Sequence, residues 1–301
     1  MRARKLVFGF IATISLVLSA CSPAAVAPKT WLEKVTQRGT LIVSTDPNYA
    51  PQSVLKQGGS RTASTKCASD QTTSGELEGF DIDVAVELGK RLGVETCFVT
   101  PGWDSITAGN WGDRWDISVG SMTITTARQK VLNFTTPYYY TPAQFAVKKD
   151  SGINSVADLV GKPVCVGTST TYESYLNNDM AGLGLPPENV YAPPPAKVTV
   201  VPLTSDQDCA QSIAAGRTDF LAYLTSATVV NQNIAQGVPV VKLGAPVYSE
   251  NLSVAVDKSH TLDVATFDTK LDDAVKAMHA DGTLTTLSTK WFKADLTQAP
   301  K

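Results

Sequence analysis

Histidine is nearly absent from this 301-residue chain, with two copies, and none of its cysteines are spaced C-x-x-C. That excludes the common structural zinc sites, which draw Cys and His ligands from short spacings, and neither a metal nor a cofactor is expected. Basic blocks are missing as well. Lys and Arg number 26 against 28 Asp and Glu, a formal charge of −2. A mildly acidic chain without cationic runs is a poor match for nucleic acid or anionic lipid. Nor does any apolar run reach the roughly 20 residues that a membrane-crossing helix needs.

What the N-terminus does hold is an export pattern. Arg2, Arg4 and Lys5 precede a mostly apolar run over 6–18, and Leu18-Ser19-Ala20-Cys21 follows, the order of a secretory signal. Those last four residues resemble the lipobox of bacterial lipoproteins, in which the cysteine becomes the diacylated N-terminus. The resemblance implies a lipoprotein signal peptide over 1–20, a lipid anchor on Cys21 and a tether over 21–30, where small residues and Pro23 and Pro28 show no helical period. A plain secretory signal with an incidental cysteine is the alternative. Loss of Arg2, Arg4 and Lys5 would carry the formal charge from −2 to −5. The protein is expected outside the cytoplasm, in the periplasm or at the cell surface, attached to the membrane by its lipid.

Downstream, strand-like and helix-like stretches alternate. Residues 40–45 are a β-branched run ending in the turn-forming Asp46-Pro47-Asn48. Residues 80–92 set Val84, Leu88 and Leu92 on one helical face before Gly93. Strands are predicted over 96–99 and 116–119, and a helix from Ser105, interrupted at Gly109-Asn110; residues 58–75 read as a surface loop. After Tyr140-Thr141-Pro142 the pattern restarts, with strands over 163–166, 199–203 and 220–223 and helices over 172–178 and 206–215. A strand over 252–256 and helical faces ending at Ala280 and Trp291 close the chain. Such alternation predicts an α/β fold of βαβ units in two lobes, with ligand in a cleft beyond the carboxyl ends of the strands. Lobe 1 is assigned to 31–141 plus 249–295 and lobe 2 to 142–248. With Cys21 lipidated, four cysteines remain, an even number that suits disulfides in an exported protein. Of the three possible pairings, Cys67–Cys97 and Cys165–Cys209 are favoured, because each stays within one lobe. His260 and His279 lie in polar stretches and are predicted to be solvent-exposed.

Gly120 to Arg128 follows a predicted strand and opens a predicted helix. Thr125 is a plausible N-cap, Ser121 and Thr123 offer hydroxyls, and Arg128 falls in the first turn. A cation there opposes the helix dipole. A bound carboxylate would account for it, since a guanidinium grips one in bidentate fashion beside helix amides. A salt bridge to a neighbouring acid is the alternative.

Several motifs, in order, resemble the bacterial extracellular solute-binding proteins of family 3, which serve polar amino acid ABC transporters. Gly39-Thr40-Leu41-Ile42-Val43 with Asp46-Pro47-Asn48-Tyr49-Ala50-Pro51 is similar to the family's opening strand and ligand loop, and Gly79-Phe80-Asp81-Ile82-Asp83-Val84-Ala85 to its next helix. Trp103-Asp104-Ser105-Ile106, Asp116-Ile117, Thr123 to Arg128 and Phe134 to Tyr138 match in order and spacing, so that the similarity runs from about Leu32 to Phe292. The resemblance implies a type II periplasmic-binding-protein-like fold whose two lobes hinge over a cleft. By the family's pattern Arg128, with Ser121 and Thr123, would hold a ligand carboxylate, and Thr170 and Thr171 would add donors from lobe 2. Tyr49 and Trp103 would flank the ligand, and Asp46 would receive its polar or cationic end. Turn capping by Asp46 and core packing by the aromatics are the plainer alternatives.

One position departs from the family. The aspartate that pairs with a ligand's α-ammonium falls, counted from Gly216-Arg217-Thr218-Asp219, at Leu224, and no acid occurs from Phe220 to Ser249. Either another group supplies that charge or the ligand lacks a free α-ammonium. The expected function is the binding component of an ABC importer, a monomer that takes a small carboxylate-bearing solute, a polar or basic amino acid, to a membrane permease. A binder of a non-α-amino carboxylate, for import or sensing, is the alternative. A dehydratase-like enzyme is the rival class. The predicted cleft offers Asp46 and Glu173 as acids but no histidine or cysteine, and no catalysis is expected.

Overall fold

The computed structural model describes residues 26–300. The expected signal peptide, the Cys21 anchor and the first half of the tether lie outside those residues. Thr30, placed in the tether, already belongs to the fold. With Glu33 it forms a capping box that starts α1, Trp31–Arg38, and Gly39 at φ 75° ends that helix.

The main sheet is 10-stranded. In chain order its strands are β1 Thr40–Ser44, β2 Thr72–Thr73, β3 Glu95–Val99, β4 Ile117–Thr123, β5 Leu132–Phe134, β6 Tyr139–Lys148, β7 Pro163–Gly167, β8 Thr199–Leu203, β9 Ala222–Ser226 and β10 Val240–Asp257. The later helices are α2 Phe80–Leu92, α3 Trp103–Thr107, α4 Thr171–Leu176, α5 Met180–Leu183, α6 Asp206–Ala214, α7 Ala227–Ala235, α8 Ala265–Ala280 and α9 Thr283–Phe292. Across the sheet the order is β8-β7-β9-β6-β10-β4-β1-β3-β2, with β5 paired to β10. β1 runs parallel to β3 and β4, and β7 parallel to β8 and β9, as βαβ units require.

β6 and β10 carry the chain between the two halves as an antiparallel pair. Where they cross, Thr141, Pro142 and Ala143 face Glu250, Ser249 and Tyr248. On one side of this crossing Trp31, Phe80, Leu88, Phe98, Tyr138 and Phe267 share a core. On the other, Phe145, Val166, Tyr175, Leu224 and Tyr248 share a second. Each such side chain removed from water contributes about 1.5–3 kcal/mol, so both lobes have cores of their own. Cys67–Cys97 staples the 58–75 loop to β3, and Cys165–Cys209 staples β7 to α6.

Local expectations fail in five places, the two histidines among them. Arg128 opens no α-helix: it begins a three-residue 3-10 turn, Arg128–Lys130. The chain must then extend so that Leu132, Asn133 and Phe134 can pair with β10, and the helix-dipole argument does not apply. The helix expected from Ser105 starts earlier, at Trp103. The strand expected over 220–223 is β9, displaced toward Ser226, because Phe220 is taken into a core cluster with Ile213 of α6 and Val230 of α7. Finally, the His260 side chain is fully buried rather than exposed. It stacks on Trp31 at 3.8 Å between ring centroids, and its Nε2 lies 3.1 Å from the Asp116 carbonyl. His279 is half-buried, with Nε2 2.8 Å from the Pro137 carbonyl.

Candidate functional site

The strand ends of both lobes converge on one pocket. β1 ends at Ser44, and the turn beyond it supplies Asp46 and Tyr49, both half-buried. Asp46 accepts the Asn48 amide at 2.9 Å, the turn-capping bond, and it also lines the pocket, where burial raises its carboxyl. β3 leads to Trp103 at the start of α3, whose ring lies 5.5 Å from the Arg128 guanidinium carbon.

β4 delivers Ser121 and Thr123. Ser121 sits at φ 54°, and its groups are engaged on the side away from the pocket: the amide donates to the Tyr138 hydroxyl, and Oγ donates to Asp81 while accepting from Tyr139. Asp81 is pushed up to about 7 by burial, against the opposing pull of its two hydroxyl donors. The Thr123 hydroxyl donates to Glu250 at 2.6 Å, and its carbonyl accepts from Arg128 Nη1 at 3.0 Å. Arg128 is buried, and desolvation lowers its guanidinium to about 10, which leaves it charged at neutral pH.

The other lobe contributes from β7, β8 and their helices. Thr170 caps α4: its hydroxyl accepts the Glu173 amide and donates to the Gly167 carbonyl. Thr171 and Tyr172 both donate to Glu250, at 2.6 and 2.7 Å. Glu173, weighed as a cleft acid, instead accepts the Ser169 amide at 2.7 Å, a bond local to the start of α4. Beyond β8, Asp206 opens α6 and faces the pocket, its oxygens accepting the Gly167 amide at 2.8 Å and the Thr225 hydroxyl at 2.9 Å.

The lobes are closed on one another. Arg128 Nη2 donates to the Ser169 carbonyl at 3.1 Å, the Tyr49 and Tyr172 hydroxyls are 3.1 Å apart, and Gln52 Nε2 donates to Thr228 Oγ1 at 2.6 Å. At the rim the Thr126 and Ala127 amides donate to the Leu183 and Gly182 carbonyls. Gln52 reaches this position because Gly79, at φ 139°, lets the two backbones touch; a Cβ there would lie 2.1 Å from the Gln52 carbonyl oxygen.

A buried cation at the mouth of two closing lobes, ringed by hydroxyls and carboxyls, is the geometry of a solute trap. The sequence matches the bacterial extracellular solute-binding proteins, family 3, over residues 41–294. The chain belongs to that family.

This family 3 protein is 30% identical over 289 residues to the L-cystine-binding protein TcyJ of Escherichia coli (strain K12), covering 94% of its own length and 93% of that protein. It is 32% identical over 224 residues to the ABC transporter arginine-binding protein 1 of the same strain, covering 72% and 82%. Among solved structures, the ancestral amino acid-binding protein AncCDT-1, a precursor of cyclohexadienyl dehydratase, shares 28% identity at a TM-score of 0.68, over 87% of this chain and 99% of that one. The two-lobed, periplasmic-binding-protein-like α/β fold expected from the sequence is the fold of such relatives. All three relatives are named as binding proteins. Among the described residues no helix is long and apolar enough to cross a membrane.

In this family 3 protein every ligand-binding position expected from the sequence (Asp46, Tyr49, Trp103, Ser121, Thr123, Arg128, Thr170 and Thr171) lines the one pocket. Six further residues line it, among them Tyr172, Asp206 and Glu250, which the sequence does not assign to the site. From the sequence Asp206 is the start of a helix, and Glu250 lies just before the strand predicted over 252–256. The usable signal was placement, since Asp206 stands three residues past the end of β8, where ligand-facing groups in α/β sheets collect. Leu224 is fully buried in the second core and pairs with Phe145.

Proposed function

We propose that this protein is the extracytoplasmic binding component of an ABC importer and that it closes over a polar or basic amino acid. Arg128 carries the reading. Its guanidinium is buried between the lobes, holds one carbonyl from each, and among the described residues is directly paired with no carboxylate; Glu250 is near enough to favour its charge. A desolvated cation in that setting costs several kcal/mol unless an anion meets it, and a ligand carboxylate supplies one. Tyr49 and Trp103 would flank the solute, and Asp46 would face its distal polar group. Closure follows from the ligand's greater affinity for the closed state. A lipid on Cys21 would keep a monomeric binder beside its permease, since one end of the chain then never leaves the membrane.

Calorimetric titration of Arg128→Lys with L-arginine and L-cystine tests this. Losing bidentate geometry in a buried site is expected to weaken binding by about 100-fold or more, with the melting temperature near that of the unaltered protein. Undiminished affinity would remove the carboxylate assignment.

Catalysis is the second reading, favoured by one observation: Asp206 is held near 7 in a cleft, where a general acid is wanted. The binder reading predicts that amino acids incubated with the protein are recovered unchanged by NMR.

A further inference from the structure

We propose that Asp206 takes the ligand's ammonium, from a different element than the family uses, so that the pocket selects solutes carrying a free amine beside their carboxylate. This rests on the reading of the pocket as a carboxylate site built on Arg128. It resolves the alternative that Leu224 left open.

The family's position cannot serve, because the Leu224 side chain points into the lobe 2 core with Val166 and Phe145. Asp206 is buried and lines the pocket, and both of its partners, the Gly167 amide and the Thr225 hydroxyl, are neutral. Each carboxylate oxygen keeps a second lone pair for another donor.

Among the described residues, the groups around it supply no positive partner. Asp46 and Tyr49 face it from the turn after β1, Glu250 and Tyr248 from β10, Tyr172 from α4 and Tyr223 from β9. Among the described residues Arg128 donates to the carbonyls of Thr123 and Ser169 and not to Asp206, and its remaining N–H groups stay free for a ligand. The Glu250 oxygens are taken by Thr123, Thr171 and Tyr172. Of the three pocket acids, Asp206 therefore combines burial with the greatest need of a cation. An arriving ammonium meets that need and gains a charge-assisted bond.

The carboxyl is also held in place before ligand arrives. The Cys165–Cys209 disulfide ties α6 to β7, the strand whose Gly167 amide holds Asp206. Gly167 has to be glycine for this, since a Cβ would come within 2.6 Å of Asp206 Oδ1. A charge partner fixed on a stapled helix favours one amine position over many.

The test is calorimetry on the disulfide-bonded protein with L-arginine and L-cystine and with their deaminated counterparts, 5-guanidinopentanoate and 3,3′-dithiodipropionate. The unaltered protein is expected to prefer the amino acid it binds over its deaminated counterpart by about 100-fold. Asp206→Asn should erase most of that preference, weakening the amino acid about 100-fold and the counterpart by less than about threefold. Equal losses on both compounds, or none, overturn the proposal while leaving the carboxylate site standing. If the unaltered protein binds none of the four, the reading of the pocket falls and the proposal with it. Should Asp206→Asn not fold, the unaltered protein's pH series decides. Amino acid affinity should fall by up to about tenfold per unit below about pH 7 as Asp206 takes up a proton, with no such fall for the deaminated compound. Parallel curves overturn the proposal.

Discussion

Asp206 combines a place in the pocket with a stability cost. Burial raises its carboxyl from 3.8 to about 7, so between those values the folded chain holds a proton that the unfolded chain has released. Stability is then fully present below the lower value and declines as pH rises through the upper one. Ligand-free Asp206→Asn is therefore expected to melt close to the unaltered protein near pH 4 and above it near pH 8. The amide oxygen can still accept from Gly167, and the amide nitrogen can donate to Thr225. Scanning calorimetry at the two pH values checks this, and a variant that is less stable near pH 8 contradicts it. A site that gives up stability for a ligand's charge is a common compromise. Arg128 was legible as a candidate because it follows a predicted strand and the hydroxyl-bearing Ser121 and Thr123 in the family's motif order. Asp206 was not, because an acid opening a helix looks like an ordinary N-terminal charge.

At the scale of elements, the closed lobes meet in a rim contact between α5 and the turn after β4. Gly184 ends α5 at φ 56°, and a Cβ there would lie 1.8 Å from Thr126 Oγ1. Gly184→Ala is expected to cost about 1 kcal/mol of stability through its left-handed backbone. It should also weaken ligand binding, because the added methyl opposes only the closed state. Adding Thr126→Gly should restore much of the affinity and none of the stability. Affinity and melting temperature measured on the single and double variants separate the two effects; an unrescued affinity loss would place the defect in the α5 turn itself. Elements with strong local patterns were readable in the sequence. β1 and β8 are β-branched runs, and α2 has an apolar face closed by Gly93. The turn at Arg128 was misread because Thr125 does accept the Arg128 amide, as in a helix start, while pairing of β5 with β10 pulls the next residues straight.

For the whole molecule, two lobes joined by β6 and β10 can close only if those strands bend at the paired stretch around Thr141 and Glu250. A lipid on Cys21 would tether that motion to a membrane. Cys21→Ser is expected to move the protein from the membrane fraction to the soluble fraction, with unchanged affinity for its solute; a soluble unaltered protein would point to a plain secretory signal. The family, the α/β alternation and the candidacy of Arg128, Asp46, Tyr49 and Trp103 were legible along the chain, because period, turn chemistry and motif order are local properties. The tertiary structure alone decided that His260 is buried against Trp31, that Leu224 belongs to a core, and that Asp206 and Glu250 share a pocket with Arg128. Those outcomes hang on strand register and on how two lobes meet, and residues far apart in the chain carry no local mark of which neighbours they will have.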